Sequence, residues 1–304
     1  HKDDHPWSVG VLRAIHGGGP KKGADYFARC ATKLWTAAAP TSDVCGDDEP
    51  DADSGAPVAV GDLDNDGVPE IVYAAENGTV HNVFRILDNK GALKYALATP
   101  WANGGDGDTP TIANLDFKGY SEIIVGRTVY VLGGDGSGGI TVTHIMTGTK
   151  AMGRNQLSSM VCPADLIASM PGQEIVAGST LYRLPETLPT CGTPPCTGAL
   201  EVVWHAPEVA GNTGISAEGG FCAVADIWGA DATQAPGPAN PLDGKPEVIL
   251  IDNGDLTILN GETGKIINDR SLGGGTRGGA PNVDDFDGDG FMEVASALQN
   301  HYAV

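Results

Sequence analysis

Two short segments of the chain place acidic side chains at alternating positions. Their carboxylates are Asp62, Asp64, Asp66 and Glu70 in the first segment and Asp285, Asp287, Asp289 and Glu293 in the last. Side-chain oxygens at the first, third, fifth and ninth loop positions can surround one Ca²⁺, with the backbone carbonyl of the seventh, Val68 or Phe291. This ion takes about six to eight oxygen ligands. Because three adjacent carboxylates repel one another without a cation, the sequence predicts two calcium sites.

A second copy of this acidic pattern carries a lysine where the others carry an aspartate. Its residues are Asn114, Asp116, Lys118 and Glu122, and Lys118 stands at the fifth position. The ammonium group could lie among the carboxylates and take the place of the metal's charge. We therefore expect a weak or absent calcium site in this copy.

Two further copies are incomplete. The third keeps Asp165 and Glu174 but has no acids between them, so we expect no ion there. The fourth keeps Asp226, Asp243 and Glu247, with a proline-rich insertion after the first of these. This fourth set is a candidate for a third calcium site, because it still offers three carboxylates.

The five copies recur at intervals of about 50 to 60 residues, which is enough for four short strands and their turns. In the first copy, apolar runs separated by Gly, Asn or Asp predict strands over residues 57–61, 70–75, 79–87 and 92–98. Four-stranded units in series are typical of a β-propeller, in which each unit is one blade. The fold class predicted is therefore all-β, a propeller of four-stranded blades with five detectable repeats.

The sequence resembles the FG-GAP (or VCBS) repeat family, whose best-known members are the propellers of integrin α chains. The resemblance is carried by the GAP-like starts at residues 55–57 and 279–281, the Asp-x-Asp-x-Asp-Gly loops, and the Glu-[Ile/Val]-[Ile/Val] strands that follow. It covers roughly residues 55–304. It implies a closed propeller whose first-to-second strand loops hold structural Ca²⁺. It does not imply one activity, since the repeat occurs in adhesins, receptors and some enzymes.

Residues 1–54 match no complete blade, and two domains are therefore expected: this N-terminal segment and the repeats of residues 55–304. Residues 8–14 and 32–38 are candidate strands within the segment. They could complete the last blade and close the ring. Alternatively, the chain belongs to a larger ring, and the sequence leaves both open.

The chain contains an even number of cysteines, which fits disulfides and an oxidising compartment. Two of them, Cys162 and Cys222, precede the acidic loops of adjacent copies. They would lie on neighbouring innermost strands, which predicts a bond between them. The other expected pairs, both local, are Cys30–Cys45 and Cys191–Cys196.

The charge and the absence of certain motifs narrow the function. A formal net charge of −21 argues against nucleic-acid and anionic-membrane partners. No stretch is long and apolar enough for a membrane span, and an extracellular, secreted or cell-surface location is expected. No nucleophile elbow, P-loop or zinc-protease motif is present, and residues 133–139 (GGDGSGG) are expected to form a hairpin loop.

These observations favour a recognition, adhesion or surface-assembly module over an enzyme. Its partners would be a protein, a glycan or other copies of the chain. The alternative is a carbohydrate-active enzyme, such as a polysaccharide lyase on a calcium-loop propeller. Long connections on the face opposite the calcium loops supply four candidate ligand contacts: Trp101, Arg154, Glu218 and Arg277.

Overall fold

The computed structural model describes residues 9–10, 13–15, 33–36, 52–53, 58–77, 80–97, 109–150, 160–216, 220–252, 254–273, 278–298 and 301–304. Within these residues the chain consists of β-strands and one 3-10 turn, Ala206–Glu208, so the prediction of an all-β chain is confirmed. No helix in this part of the chain could cross a membrane. The chain divides into two compact units, residues 1–112 with 133–141, and residues 113–132 with 142–304.

The first unit contains one main sheet, built around the first repeat. Its strands are β1 (Val9–Gly10), β2 (Arg13–Ile15), β3 (Lys33–Thr36), β4 (Ala52–Asp53), β5 (Ala59–Gly61), β6 (Glu70–Asn77), β7 (Val80–Leu87) and β8 (Leu93–Ala96). The sheet order is β1-β4-β6-β7-β8, and β5 also pairs with β6. Strands β5 to β8 are the four predicted strands of the first repeat. The N-terminal strands divide between this sheet, which takes β1 and β4, and a separate β2–β3 pair.

Strands β9 to β12 belong to the second repeat, and parts of β9, β11 and β12 are assigned to the first unit. These strands are β9 (Pro110–Ala113), β10 (Glu122–Val125), β11 (Thr128–Gly134) and β12 (Ile140–Thr147). In the second unit, β10 pairs with β11 in antiparallel fashion. The predicted hairpin loop of residues 133–139 falls between β11 and β12. Its turn is closed by Asp135, whose carboxylate accepts hydrogen bonds from the N–H groups of Ser137 and Gly139.

The remaining strands form three sheets of the second unit and one added strand. They are β13 (Val161–Ala164), β14 (Glu174–Ala177), β15 (Thr180–Arg183), β16 (Cys196–Ala199), β17 (Glu201–His205), β18 (Phe221–Ala225), β19 (Glu247–Asp252), β20 (Asp255–Asn260), β21 (Ile266–Ser271), β22 (Asn282–Asp284), β23 (Glu293–Ala297) and β24 (Tyr302–Ala303). The sheet orders are β13-β14-β15-β17, β18-β19-β20-β21 and β22-β23-β24. Strand β16 runs parallel to β12 of the preceding repeat.

Apolar side chains of consecutive repeats meet in the second unit. Ile124 of β10 clusters with Ile175 of β14, and Val176 of β14 clusters with Val248 of β19. Ile249 of β19 packs with Val294 of β23. The second strands of the second to fifth repeats therefore contribute to cores between neighbouring sheets. Removing this apolar surface from water stabilises the stack by about 25 cal/mol per Å².

Two disulfides reinforce this arrangement, and both are pairs predicted from the sequence. Cys162 on β13 is bonded to Cys222 on β18, with Cα atoms 6.1 Å apart, and thereby ties the third repeat to the fourth. Cys191 is bonded to Cys196 at the start of β16. This second bond closes the loop that carries β16 onto the edge of β12. The predicted Cys30–Cys45 pair lies outside the described residues.

Candidate metal centres on the strand-connecting loops

All five acidic motifs lie on the connection between the first and second strands of a repeat. These connections are β5–β6, β9–β10, β13–β14, β18–β19 and β22–β23. In every copy, the glutamate that ends the motif is the first residue of the second strand. We name the first connection the first acidic loop (residues 62–70) and the last the fifth acidic loop (residues 285–293).

The first acidic loop gathers three carboxylates around one point. Asp62, Asp64 and Asp66 each offer an oxygen, and these atoms lie within 4.8 Å of one another. Asp62 accepts hydrogen bonds from the backbone N–H groups of Asp66 (3.1 Å) and Gly67 (2.8 Å). Asp66 accepts one from the N–H of Val68 at 2.7 Å. The loop backbone thus orients the side chains, and this group could hold a metal ion.

The fifth acidic loop repeats this geometry. Oxygens of Asp285, Asp287 and Asp289 lie within 4.8 Å of one another. Asp285 accepts from the N–H groups of Asp289 (3.0 Å) and Gly290 (2.9 Å), and Asp289 accepts from that of Phe291 (2.9 Å). Both aspartate groups predicted from the sequence are therefore brought together as possible cation ligands.

The two loops also share an unusual backbone conformation. Positive φ angles occur at the fourth and sixth positions, Asn65 (59°) and Gly67 (86°) in the first loop, and Gly288 (81°) and Gly290 (91°) in the fifth. Glycine and asparagine adopt this region at low cost. The second repeat keeps the same turn although its fourth position is Phe117, at φ 56°. The turn therefore persists even where a bulky residue must adopt a strained conformation.

The glutamate at the ninth position has a function that the sequence reasoning missed. In all five copies its carboxylate accepts a hydrogen bond from the backbone N–H of the residue after the first motif position. The bonds are Leu63 to Glu70 (2.9 Å), Leu115 to Glu122 (2.7 Å), Leu166 to Glu174 (2.9 Å), Ile227 to Glu247 (3.0 Å) and Phe286 to Glu293 (2.8 Å). The glutamate therefore closes the loop whether or not the other acids are present. The signal available in the sequence was that this glutamate is retained in the third and fourth copies, which have lost one or more of the other acids.

Burial of this carboxylate raises its pKa in three copies. Burial raises the pKa of Glu122 to about 8, although the hydrogen bond from Leu115 lowers it. Burial likewise raises the pKa of Glu247 to about 7, and the pKa of Glu174 also increases. One oxygen of Glu174 is buried and receives no hydrogen bond from the described residues. Buried carboxylates that lack a nearby positive charge favour the neutral form.

Lys94 contacts the first acidic loop from β8, a contact that the sequence reasoning also missed. Its ammonium lies 2.8 Å from an oxygen of Asp64 and 2.7 Å from one of Glu70. Burial lowers the pKa of Lys94, but the hydrogen bonds and negative charges of these two acids outweigh it and raise the pKa overall. Within the described residues, the other oxygen of Asp64 is buried and receives no hydrogen bond.

In the second acidic motif, the described contacts of Lys118 are made by its backbone. Its N–H donates to Asn114 (3.0 Å) and Asp116 (2.9 Å), and the side chain is exposed. The described part of the chain shows no ion pair between this ammonium and Asp116 or Glu122. The expectation that Lys118 replaces the metal's charge is therefore wrong, because the exposed side chain pairs with neither of these described carboxylates.

The fourth motif keeps the turn around its long insertion. Asp226 accepts from the N–H of Gly244 at 2.8 Å, and Asp243 accepts from that of Lys245 at 3.0 Å. These bonds match those made by the first and fifth positions of the two complete loops. Asp243 therefore occupies the fifth position, and Glu247 the ninth, while the acid of the third position is missing. One oxygen of Asp226 is buried without a hydrogen bond from the described residues.

The candidate ligand contacts Trp101, Arg154, Glu218 and Arg277 lie outside the described residues. No protein-family model matches the chain, and no curated protein matches it. Among solved structures, the chain is similar to the V. cholerae biofilm matrix protein Bap1, with a TM-score of 0.43 and 19% sequence identity. The likeness covers 77% of this chain and 33% of that one, so the chain spans about a third of its length.

Proposed function

We propose that the repeats form a β-propeller of FG-GAP/VCBS type, stabilised by Ca²⁺ and used for extracellular recognition, adhesion or surface assembly. Three features support the propeller. Four-stranded units follow one another along the chain, the second strands pack between neighbouring sheets, and an acidic motif connects the first two strands of every unit. Propeller blades are related in this way. Residues 55–304 form the propeller domain in this proposal, and residues 1–54 an N-terminal segment that adds β1 and β4 to the sheet of the first repeat.

The observation that carries the proposal is the pair of matching aspartate clusters. Hard carboxylate and carbonyl oxygens favour Ca²⁺ over softer transition metals. In the first loop the ligands would be Asp62, Asp64, Asp66, the Val68 carbonyl and Glu70. In the fifth they would be Asp285, Asp287, Asp289, the Phe291 carbonyl and Glu293. The fourth motif, with Asp226, Asp243 and Glu247, lacks one ligand and binds more weakly.

The buried oxygen of Asp64 is consistent with a cation at the first loop. A buried acceptor without a donor costs free energy, and a bound cation satisfies it. A cation would also connect the loop to both strands that flank it, β5 and β6. Calcium in this proposal is part of the scaffold, and recognition belongs to the opposite face of the ring.

The disulfides of the described residues and the composition of the chain support the extracellular location in this proposal. Two disulfides fit an oxidising compartment. A net charge of −21 suits a soluble protein that collects divalent cations. Extracellular calcium is abundant enough for modules with dissociation constants of about 10⁻⁴–10⁻³ M.

To test the recognition function, the labelled chain is incubated with arrays of polysaccharides and extracellular proteins. The incubation is done with 2 mM Ca²⁺ and, as the control, with chelator. We expect retention on a subset of spots that decreases in chelator, because calcium loss loosens the loops. The same polysaccharides are then assayed for unsaturated products. Turnover of any of them would contradict the binding function and favour the carbohydrate-active enzyme.

A further inference from the structure

We propose that Lys94 determines the cation affinity of the first acidic loop, because its ammonium takes the place of the cation's charge in the cation-free chain. The inference rests on the proposed function, since it assumes that the loop binds Ca²⁺. It goes further by predicting that two loops with the same acidic ligands bind this ion with different affinities.

The contacts of Lys94 engage two of the carboxylates that a cation would need. Glu70 is buried, with its side chain only 1% exposed, and both of its oxygens are engaged. One accepts from the N–H of Leu63, and the other lies 2.7 Å from the Lys94 ammonium. Asp64 gives its second oxygen to the same ammonium at 2.8 Å. The lysine thus binds two of the five predicted ligands.

An ammonium and a divalent cation cannot share these oxygens. Like charges a few ångströms apart repel strongly where water is largely excluded, and the Lys94 side chain is 18% exposed. A cation that takes an oxygen of Glu70 must therefore displace the lysine. The backbone bond from Leu63 does not conflict with it, because it uses the other oxygen. Binding at this loop consequently includes the cost of breaking two ion pairs.

The fifth acidic loop provides the internal comparison. Asp285, Asp287 and Asp289 have the same backbone bonds as their counterparts, but among the described residues no ammonium lies within ion-pair distance of them. Among the described ion pairs, Lys94 is the only cation that contacts the first or the fifth acidic loop. Cation binding at the fifth loop is therefore free of this competition.

The first test measures Ca²⁺ binding by isothermal titration in the variant Asp285→Asn/Asp289→Asn, which removes ligands from the fifth loop. Lys94→Met is added to this background, since methionine keeps an apolar stem. The matched control is Lys90→Met, which removes the same charge from an exposed residue of the same hairpin. If the loop is free of Lys94 for about a tenth of the time, Lys94→Met strengthens Ca²⁺ binding about tenfold. Lys90→Met should change it less than twofold.

The outcomes separate the two proposals. A first loop that binds Ca²⁺ equally in the Lys94→Met and Lys90→Met variants overturns the role of Lys94 and leaves the calcium site intact. A loop that binds no Ca²⁺ in any variant overturns both. A loop that binds Ca²⁺ only after Lys94→Met supports the inference in its strongest form.

A second test uses the unmodified chain and does not depend on a variant that folds. Amine acetylation is followed by mass spectrometry with and without Ca²⁺. The ion pairs with Asp64 and Glu70 shield the Lys94 amine from the reagent. We expect Ca²⁺ to increase the labelling rate of Lys94 about tenfold, by the same occupancy argument, while Lys90 is unchanged. A Lys94 rate that is insensitive to a saturating Ca²⁺ concentration would refute displacement.

Discussion

Replacing Phe117 with glycine should stabilise the chain, because this residue adopts a left-handed conformation in the second acidic motif. Its φ of 56° is positive, like those of Asn65 (59°) and Gly288 (81°) at the same position of the complete loops. A residue with a Cβ atom loses about 1–2 kcal/mol in this region. Little packing is lost by the substitution, since the Phe117 side chain is 61% exposed.

Glycine also gains more freedom in the unfolded chain, which offsets about 0.5–1 kcal/mol of the benefit. We therefore expect Phe117→Gly to raise the free energy of unfolding by about 1 kcal/mol and Tm by about 2 °C. Urea unfolding and calorimetry in chelator would measure both without a contribution from bound cation.

Two controls isolate the backbone effect. Phe117→Ala removes the aromatic ring but keeps the Cβ atom, so it should retain the strain and be less stable than Phe117→Gly. Phe286→Gly removes an exposed aromatic residue that does not have a positive φ, and it should lower stability by about 0.5–1 kcal/mol. If Phe117→Gly is no more stable than Phe117→Ala, the left-handed conformation at this position does not cost stability as we expect.

Three further predictions concern protonation and the disulfides. Burial raises the pKa of Glu122 from 4.5 to about 8. The free energy of unfolding should therefore fall as pH rises between these values, by at most about 1.4 kcal/mol per pH unit. Urea titrations at several pH values should show that Glu122→Gln removes this contribution. Cys162→Ala/Cys222→Ala opens a cross-link over 60 residues and should cost about 4 kcal/mol by calorimetry. Cys191→Ala/Cys196→Ala should lower the free energy of unfolding by less, because this disulfide closes a short loop. It should increase hydrogen exchange selectively in β16. Unchanged exchange protection in β16 relative to the other strands would contradict the local role of this disulfide.

Much of the fold could be predicted because the pattern repeats. Strands β6 (Glu70–Asn77) and β7 (Val80–Leu87) lie within two residues of the bounds expected from their apolar runs. The aspartates that converge in the first and fifth loops were identified because ligand spacing within a turn is a local property. Local sequence was sufficient for these features.

The features that were missed depend on contacts between distant residues. Lys94 is 30 residues from Asp64 and reaches it only because of the register between β7 and β8. The parallel pairing of β16 with β12 joins two repeats, and the sequence period does not indicate it. The glutamate that closes each loop was interpreted as a cation ligand alone, since its bond to a backbone N–H cannot be recognised without the folded turn.

The shared turn also explains why Lys118 was misinterpreted. Its position in the sequence matches that of an aspartate whose side chain faces the loop centre. A lysine side chain is longer and strongly hydrated, and at this exposed position it extends into solvent instead. Sequence position therefore predicted the backbone of the turn but not the direction of this side chain.

The most direct test of the account is the number of Ca²⁺ ions bound by the chain, measured by native mass spectrometry at increasing Ca²⁺ concentration. We expect two bound ions in the unmodified chain, with the fifth loop filled at the lower Ca²⁺ concentration. We expect one ion in Asp62→Asn/Asp66→Asn and one in Asp285→Asn/Asp289→Asn. Combining these four substitutions should remove both. Two ions retained by the combined variant, or none bound by the unmodified chain at millimolar Ca²⁺, would contradict the assignment of the two acidic loops as calcium sites.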